Sequence, residues 1–164
     1  MAHRCPHRAG SLRLRQARPG RARLSGEVRT HTAVGNLLAG KRFLFVDDDL
    51  EVARLLGRVV KLEGADAQVC SDAAAAYEAA CASAFDLILL DLRLGDVSGH
   101  DILQELRARR VTCPIIVFSA VAEKSEVERC LQAGADGYIT KPIGASELVK
   151  RLRQYLPLLP HQSG

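Results

Sequence analysis

No Cys-x-x-Cys pair occurs in this chain, no uninterrupted apolar stretch approaches the roughly 18 residues a bilayer span needs, and no block of sequence repeats itself. The cysteines, odd in number at positions 5, 70, 81, 113 and 130, sit mostly inside apolar segments, where free Cys behaves as a small hydrophobe and a reducing compartment is implied. His3-x-Cys5-x-His7 comes nearest to a metal-ligand pattern. It lacks a fourth ligand and stands in an Arg-rich stretch, so structural zinc is not expected there. The N-terminus is broken by Arg throughout, which excludes a secretory signal core, and it holds only Ser11 and Ser25 among the serines of a transit peptide. A soluble, cytoplasmic protein without a membrane span is expected.

What is present is one domain's worth of core. At 164 residues and 48% hydrophobic content, a second domain of ordinary size would leave neither with enough apolar interior. Charge divides the chain unevenly. Residues 1–40 hold eight Arg and one acidic residue, whereas 41–164 hold fifteen basic and eighteen acidic. The composition predicts a basic, disordered leader over 1–40, a domain over 41–157 and a short tail over 158–164. An anionic partner of the leader, nucleic acid or a membrane surface, would be held by charge alone.

From Lys41 onward, short apolar runs alternate with helical patterns, the mark of βαβ units on a parallel sheet. Strands are predicted at 42–46, 67–70, 86–90, 114–118 and 137–140. Two of them are apolar at nearly every position, as central strands covered on both faces are. Helices follow each strand. The first has the stripe Val52, Leu55, Leu56, Val59 and ends near Gly64. The second starts after Asp72, and the third carries Ile102, Leu103 and Leu106. The fourth carries Val127, Cys130 and Leu131, and the fifth carries Leu148, Val149, Leu152 and Tyr155 before Pro157. The fold class is α/β, a single (βα)5 three-layer sandwich.

Ligands of open parallel sheets bind beyond the carboxyl ends of the strands. There the first strand delivers Asp47, Asp48 and Asp49, the third Asp91, the fourth Ser119 and the fifth Lys141. Each alone is commonplace as a turn, cap or solvated residue. Together they put acids, a hydroxyl and an ammonium on one edge. Clustered carboxylates call for a hard cation such as Mg2+, and one of them can then attack phosphorus to form an aspartyl phosphate.

The motifs Phe45-Val46-Asp47-Asp48, Leu89-Leu90-Asp91-Leu92-Arg93-Leu94 with Gly99, Val117-Phe118-Ser119-Ala120 and Gly137-Tyr138-Ile139-Thr140-Lys141-Pro142 give the chain its resemblance. Over residues 41–157 it resembles the response-regulator receiver family of two-component signalling, including its stand-alone chemotaxis regulator. The resemblance implies a flavodoxin-like sheet of order 2-1-3-4-5 and a domain that switches partners rather than an enzyme. It implies Mg2+, with Mn2+ as a substitute, ligated by Asp47, Asp48, Asp91 and the backbone carbonyl of Arg93. Asp91 would be the phosphoacceptor, Ser119 the switch hydroxyl, Lys141 the phosphate counterion and Tyr138 the reorienting aromatic. Partners would be a histidine kinase or phosphotransfer protein and a downstream protein on the face of the fourth helix, fifth strand and fifth helix. The chain would be a monomer or weak dimer without a dedicated DNA-binding domain. Departures are Leu94-Gly95-Asp96 where Met-Pro is common, expected to loosen that loop, and Ile143 where an aromatic is usual.

Two other readings compete. An aspartyl-phosphate-forming phosphatase would use Asp47 as nucleophile with Asp49 two residues on, which leaves Asp91 unexplained. Alternatively the chain is a receiver fragment of a longer hybrid kinase or transcription regulator, against which the short stretch after Pro160 argues.

Overall fold

The computed structural model describes residues 37–157. The bulk of the basic leader, the His3-x-Cys5-x-His7 fragment and the tail at 158–164 lie outside them. Seven strands and five helices follow in chain order: β1 (Arg42–Val46), α1 (Leu50–Leu62), β2 (Asp66–Cys70), α2 (Ala73–Ala82), β3 (Leu87–Leu90), β4 (Arg93–Leu94), β5 (Val97–Ser98), α3 (Gly99–Ala108), β6 (Ile115–Ser119), α4 (Lys124–Gln132), β7 (Gly137–Thr140) and α5 (Ala145–Gln154). Five strands form one parallel sheet in the order β2-β1-β3-β6-β7, the order 2-1-3-4-5 when only sheet strands are counted. β4 and β5 make a separate two-residue antiparallel ladder that the sequence reading did not contain. Segments this short carry no alternation to detect.

Strand residues alternate between two cores, which is why the central strands read as unbroken apolar runs. Phe43, Phe45, Leu87, Leu89, Ile116, Phe118 and Ile139 face α1 and α5. Leu44, Val46, Ile88, Leu90, Ile115, Val117 and Tyr138 face α2, α3 and α4. Each large side chain so buried contributes about 2 kcal/mol.

Several details depart from expectation. α1 buries Ala53, Leu56, Gly57 and Val60, one position on from the expected stripe, and leaves Leu55 60% exposed. The cause is small-residue packing: a Cβ at Gly57 would lie 3.6 Å from that of Ala67, so the helix rests close on β2 through its smallest residues. In α4 Leu131 stays 46% exposed and Cys130 is the residue buried. Leu38 is fully buried with α1 and α5, and its amide donates to the Glu63 carbonyl at 3.2 Å. The core therefore begins three residues before the compositional boundary at 41. Among the described residues no helix is long and apolar enough to cross a membrane.

Candidate functional site

The backbone ladder brings four strand ends level. The Asp47 amide donates to the Cys70 carbonyl at 3.1 Å, that of Asp91 to Val46 at 2.9 Å, and that of Lys141 to Ser119 at 2.8 Å. The register Val46 to Leu90, Leu90 to Val117 and Ser119 to Thr140 then leaves Asp47, Asp91, Ser119 and Lys141 at one edge.

Asp47 is 3% exposed, and both its oxygens are engaged. Oδ1 accepts from the Asp49 amide at 2.9 Å, and Oδ2 takes the Lys141 ammonium at 2.9 Å. The same ammonium reaches Asp91 Oδ2 at 3.1 Å and lies 4.8 Å from the centre of the Phe118 ring. Burial pushes the Asp47 carboxyl above the usual carboxylate range. The Lys141 hydrogen bond and the Asp49 amide oppose that rise, and the Asp91 charge adds to it. For Lys141, burial alone would lower the ammonium, but the hydrogen bond to Asp47 and the charges of Asp91 and Asp47 outweigh it and raise the group above its ordinary value.

Asp48 is exposed, and its Oδ2 accepts from the Gly95 amide at 3.2 Å. Gly95 therefore acts against the expected loosening. It has φ +56°, which suits the turn between β4 and β5, and it ties that turn to the pocket. Asp91 is half-buried, and among the described residues its Oδ1 receives only the Arg93 amide, at a long 3.3 Å. Asp49 is spent on structure: its carboxylate caps α1 by accepting from the amides of Glu51 and Val52. Of the Asp47/Asp49 pair that a phosphatase would need, Asp49 is thus occupied as a helix cap.

Ser119, 1% exposed, accepts at Oγ from the Val121 amide at 3.2 Å. The Tyr138 hydroxyl donates to the carbonyl of that same residue at 2.7 Å, and its ring is already buried. The link through Val121 was not legible in the sequence, because it needs the course of the loop after β6.

The donor set suits a hard divalent cation. Oxygens of Asp47, Asp48 and Asp91 lie within 4.8 Å of one another. Three carboxylates against one ammonium leave two formal negative charges at the pocket, and oxygen-only donors favour Mg2+ or Mn2+.

A family model of the response regulator receiver domain matches residues 43–153. The transcriptional regulatory protein KdpE of Mycobacterium tuberculosis is 40% identical over 110 residues, covering 67% of this chain and 48% of that protein. The DNA-binding response regulator MtrA of Mycobacterium leprae is 40% identical over 116 residues, covering 71% of this chain and 51% of that protein. The chain thus spans about half the length of the curated relatives it matches. Among solved structures, the receiver domain of the Francisella response regulator 1452 is similar with a TM-score of 0.66 at 27% identity, over 70% of this chain and 95% of that one.

Proposed function

This chain belongs to the response regulator receiver domain family, and from that premise we propose that it takes a phosphoryl group on Asp91 from a histidine kinase or phosphotransfer protein, with Mg2+ or Mn2+ at the acidic pocket. The observation that carries the reading is the Lys141 ammonium shared between Asp47 and Asp91, beside an Asp91 oxygen that accepts a long hydrogen bond from the Arg93 amide. Asp47, Asp48, Asp91 and the Arg93 carbonyl would hold the ion, which when bound supplies positive charge against the phosphoryl oxygens.

The chain's own residues do the rest. Asp91 attacks phosphorus through a carboxylate oxygen, the phosphorus–nitrogen bond of the donor's phosphohistidine breaks, and the leaving imidazole keeps the electron pair. Lys141 exchanges its bond to Asp91 Oδ2 for one to a phosphoryl oxygen. The Ser119 oxygen accepts from the Val121 amide, so its hydroxyl proton can be donated to another phosphoryl oxygen in a charge-assisted bond. Ser119 would then move from the Val121 amide, and Tyr138 holds the carbonyl of that residue. The loop leading into α4 would shift, changing the face of α4, β7 and α5 on which a downstream protein docks.

Incubation with acetyl phosphate and Mg2+ tests the reading. A labile phosphoprotein should accumulate on the native chain and be lost in Asp91→Asn. Undiminished label on that variant, or steady release of phosphate with turnover, would sink it.

A further inference from the structure

Between α3 and α4 three side chains meet that phosphoryl transfer leaves unused. His100 stands in the first turn of α3, while Glu126 and Cys130, four residues apart, share one face of α4. His100 Nε2 lies 2.9 Å from Glu126 Oε1 and 3.4 Å from Cys130 Sγ. One ligand atom from each residue falls within 4.8 Å of the other two. Cys130 is fully buried, whereas the His100 and Glu126 side chains keep 17% and 19% of their surface, so the cluster opens to solvent on one side. The far ring nitrogen, Nδ1, is 3.3 Å from Ser98 Oγ, which also accepts from the His100 amide as the cap of α3. The ring is thereby held with Nε2 toward α4.

We propose that His100, Glu126 and Cys130 form a second metal site, for a thiophilic divalent ion of the zinc class, that ties the start of α3 to α4 and leaves a fourth position to water. Zinc bond lengths at tetrahedral angles separate N from S ligands by roughly 3.6 Å and N from O ligands by roughly 3.4 Å. The observed 3.4 and 2.9 Å are those edges slightly contracted, so His100 needs to part from each of its two neighbours by only a few tenths of an ångström. On binding, the Cys130 thiol releases its proton to solvent and the thiolate gives an electron pair to the ion. His100 binds through the lone pair of Nε2 while Nδ1–H faces Ser98, the buttressing by which a hydroxyl or carbonyl fixes the tautomer of a metal-bound imidazole. Thiolate and carboxylate together balance the charge of a divalent ion in a half-buried place. The mixed S, N and O donors also separate this site from the oxygen-only pocket at Asp47, Asp48 and Asp91 by the softness of the ion preferred. The competing account is an ion pair between His100 and Glu126 beside a core thiol, which predicts no metal–thiolate bond.

The test uses the full chain stripped of metal and titrated with Co2+. One equivalent should raise the near-ultraviolet charge-transfer absorption of a cobalt thiolate, and one equivalent of Zn2+ should remove it. Cys130→Ala should abolish that absorption. His100→Gln keeps a polar group facing Glu126, and it should weaken Zn2+ binding, read by competition with a chromogenic chelator, at least about tenfold; Ser98→Ala should do so by about tenfold. Asp48→Asn, in the other pocket, and Cys5→Ser, in the leader, should leave the absorption unchanged. Absence of the band in the native chain, its survival in Cys130→Ala, or its loss in Cys5→Ser would each overturn the proposal. Should Cys130→Ala fail to fold, as circular dichroism would reveal, undiminished Zn2+ affinity in His100→Gln overturns it instead.

Discussion

Replacing Lys141→Met removes the ammonium bonded to both Asp47 and Asp91 and keeps the aliphatic stem over Phe118. Stranding a buried carboxylate by deleting its partner costs about 3–5 kcal/mol. The Lys141 side chain is 22% exposed, so solvent screens part of this, and about 2–3 kcal/mol is the expectation. For a domain of this size that is a fall in Tm of roughly 10 °C. The loss should depend on pH in a definite sense. Burial already holds the Asp47 carboxyl above its unfolded value, and the lysine is one of the groups pulling it back down. Without the lysine the folded pKa rises further. A group with a raised folded pKa contributes stability that is present below its unfolded pKa and is lost as pH rises through the folded one. The variant should therefore approach the native chain at acidic pH and fall furthest behind at neutral pH. Urea unfolding in EDTA across that range measures it, and repeating the series with Mg2+ should narrow the gap, because bound cation replaces the missing charge. A neutral-pH difference within about 0.5 kcal/mol, the ordinary scatter for surface substitutions, would refute the view that this ammonium neutralises the pocket.

Gly99→Ala would place a Cβ 2.5 Å from Leu92 Cα and 2.9 Å from the Asp91 carbonyl oxygen; because these are backbone atoms and not the end of a flexible side chain, unfolding free energy should drop by about 1–3 kcal/mol and acetyl phosphate labelling should slow. Leu38→Ala should cost about 2–5 kcal/mol in urea unfolding, and a negligible change would place Leu38 outside the core. Ser119→Ala should still be labelled but should lose most of the phosphorylation-dependent amide shifts over residues 123–156; full-sized shifts there would detach the hydroxyl from the switch.

The sheet was legible because its strands are buried on both faces and need no alternation, as in Leu87–Leu90, and because Asp72 caps α2 as expected. The strand-end site was legible for a topological reason. Once β1, β3, β6 and β7 are parallel, whatever follows each of them lies at the same edge. Helix faces were less legible. Where α1 offers both Val52-Leu55-Leu56-Val59 and Ala53-Leu56-Gly57-Val60, hydrophobicity favours the bulky stripe, but the sheet selects the small one that lets the backbone approach β2. The cluster of His100 with Glu126 and Cys130 was illegible for a different reason. The spacing of Glu126 and Cys130 marks one helix face, but nothing in the chain says that the first turn of α3 will lie against it.

These differences bear on why a signal could act through α4. That helix buries Cys130, whereas α1 and α3 bury four residues each, and its cap residue Glu123 makes no side-chain hydrogen bond to the helix. It is held instead at points: the Cys130 thiol with the partly buried Val127, the contact of His100 Nε2 with Glu126, and the Val121 peptide gripped by Ser119 on one side and Tyr138 on the other. Burying a thiol of that size and making one partly screened polar contact contribute about 1–3 kcal/mol. A hydrogen bond from Ser119 to a charged phosphoryl oxygen is worth about 1.5–3 kcal/mol. The two are of one magnitude, so under the proposed chemistry a single new bond at Ser119 is enough to reposition α4, whereas α1 or α3, with far more buried surface, would not yield to it. A zinc-class ion joining His100, Glu126 and Cys130 would add to the anchoring side of that balance, and its occupancy would set how far phosphorylation at Asp91 can move the helix.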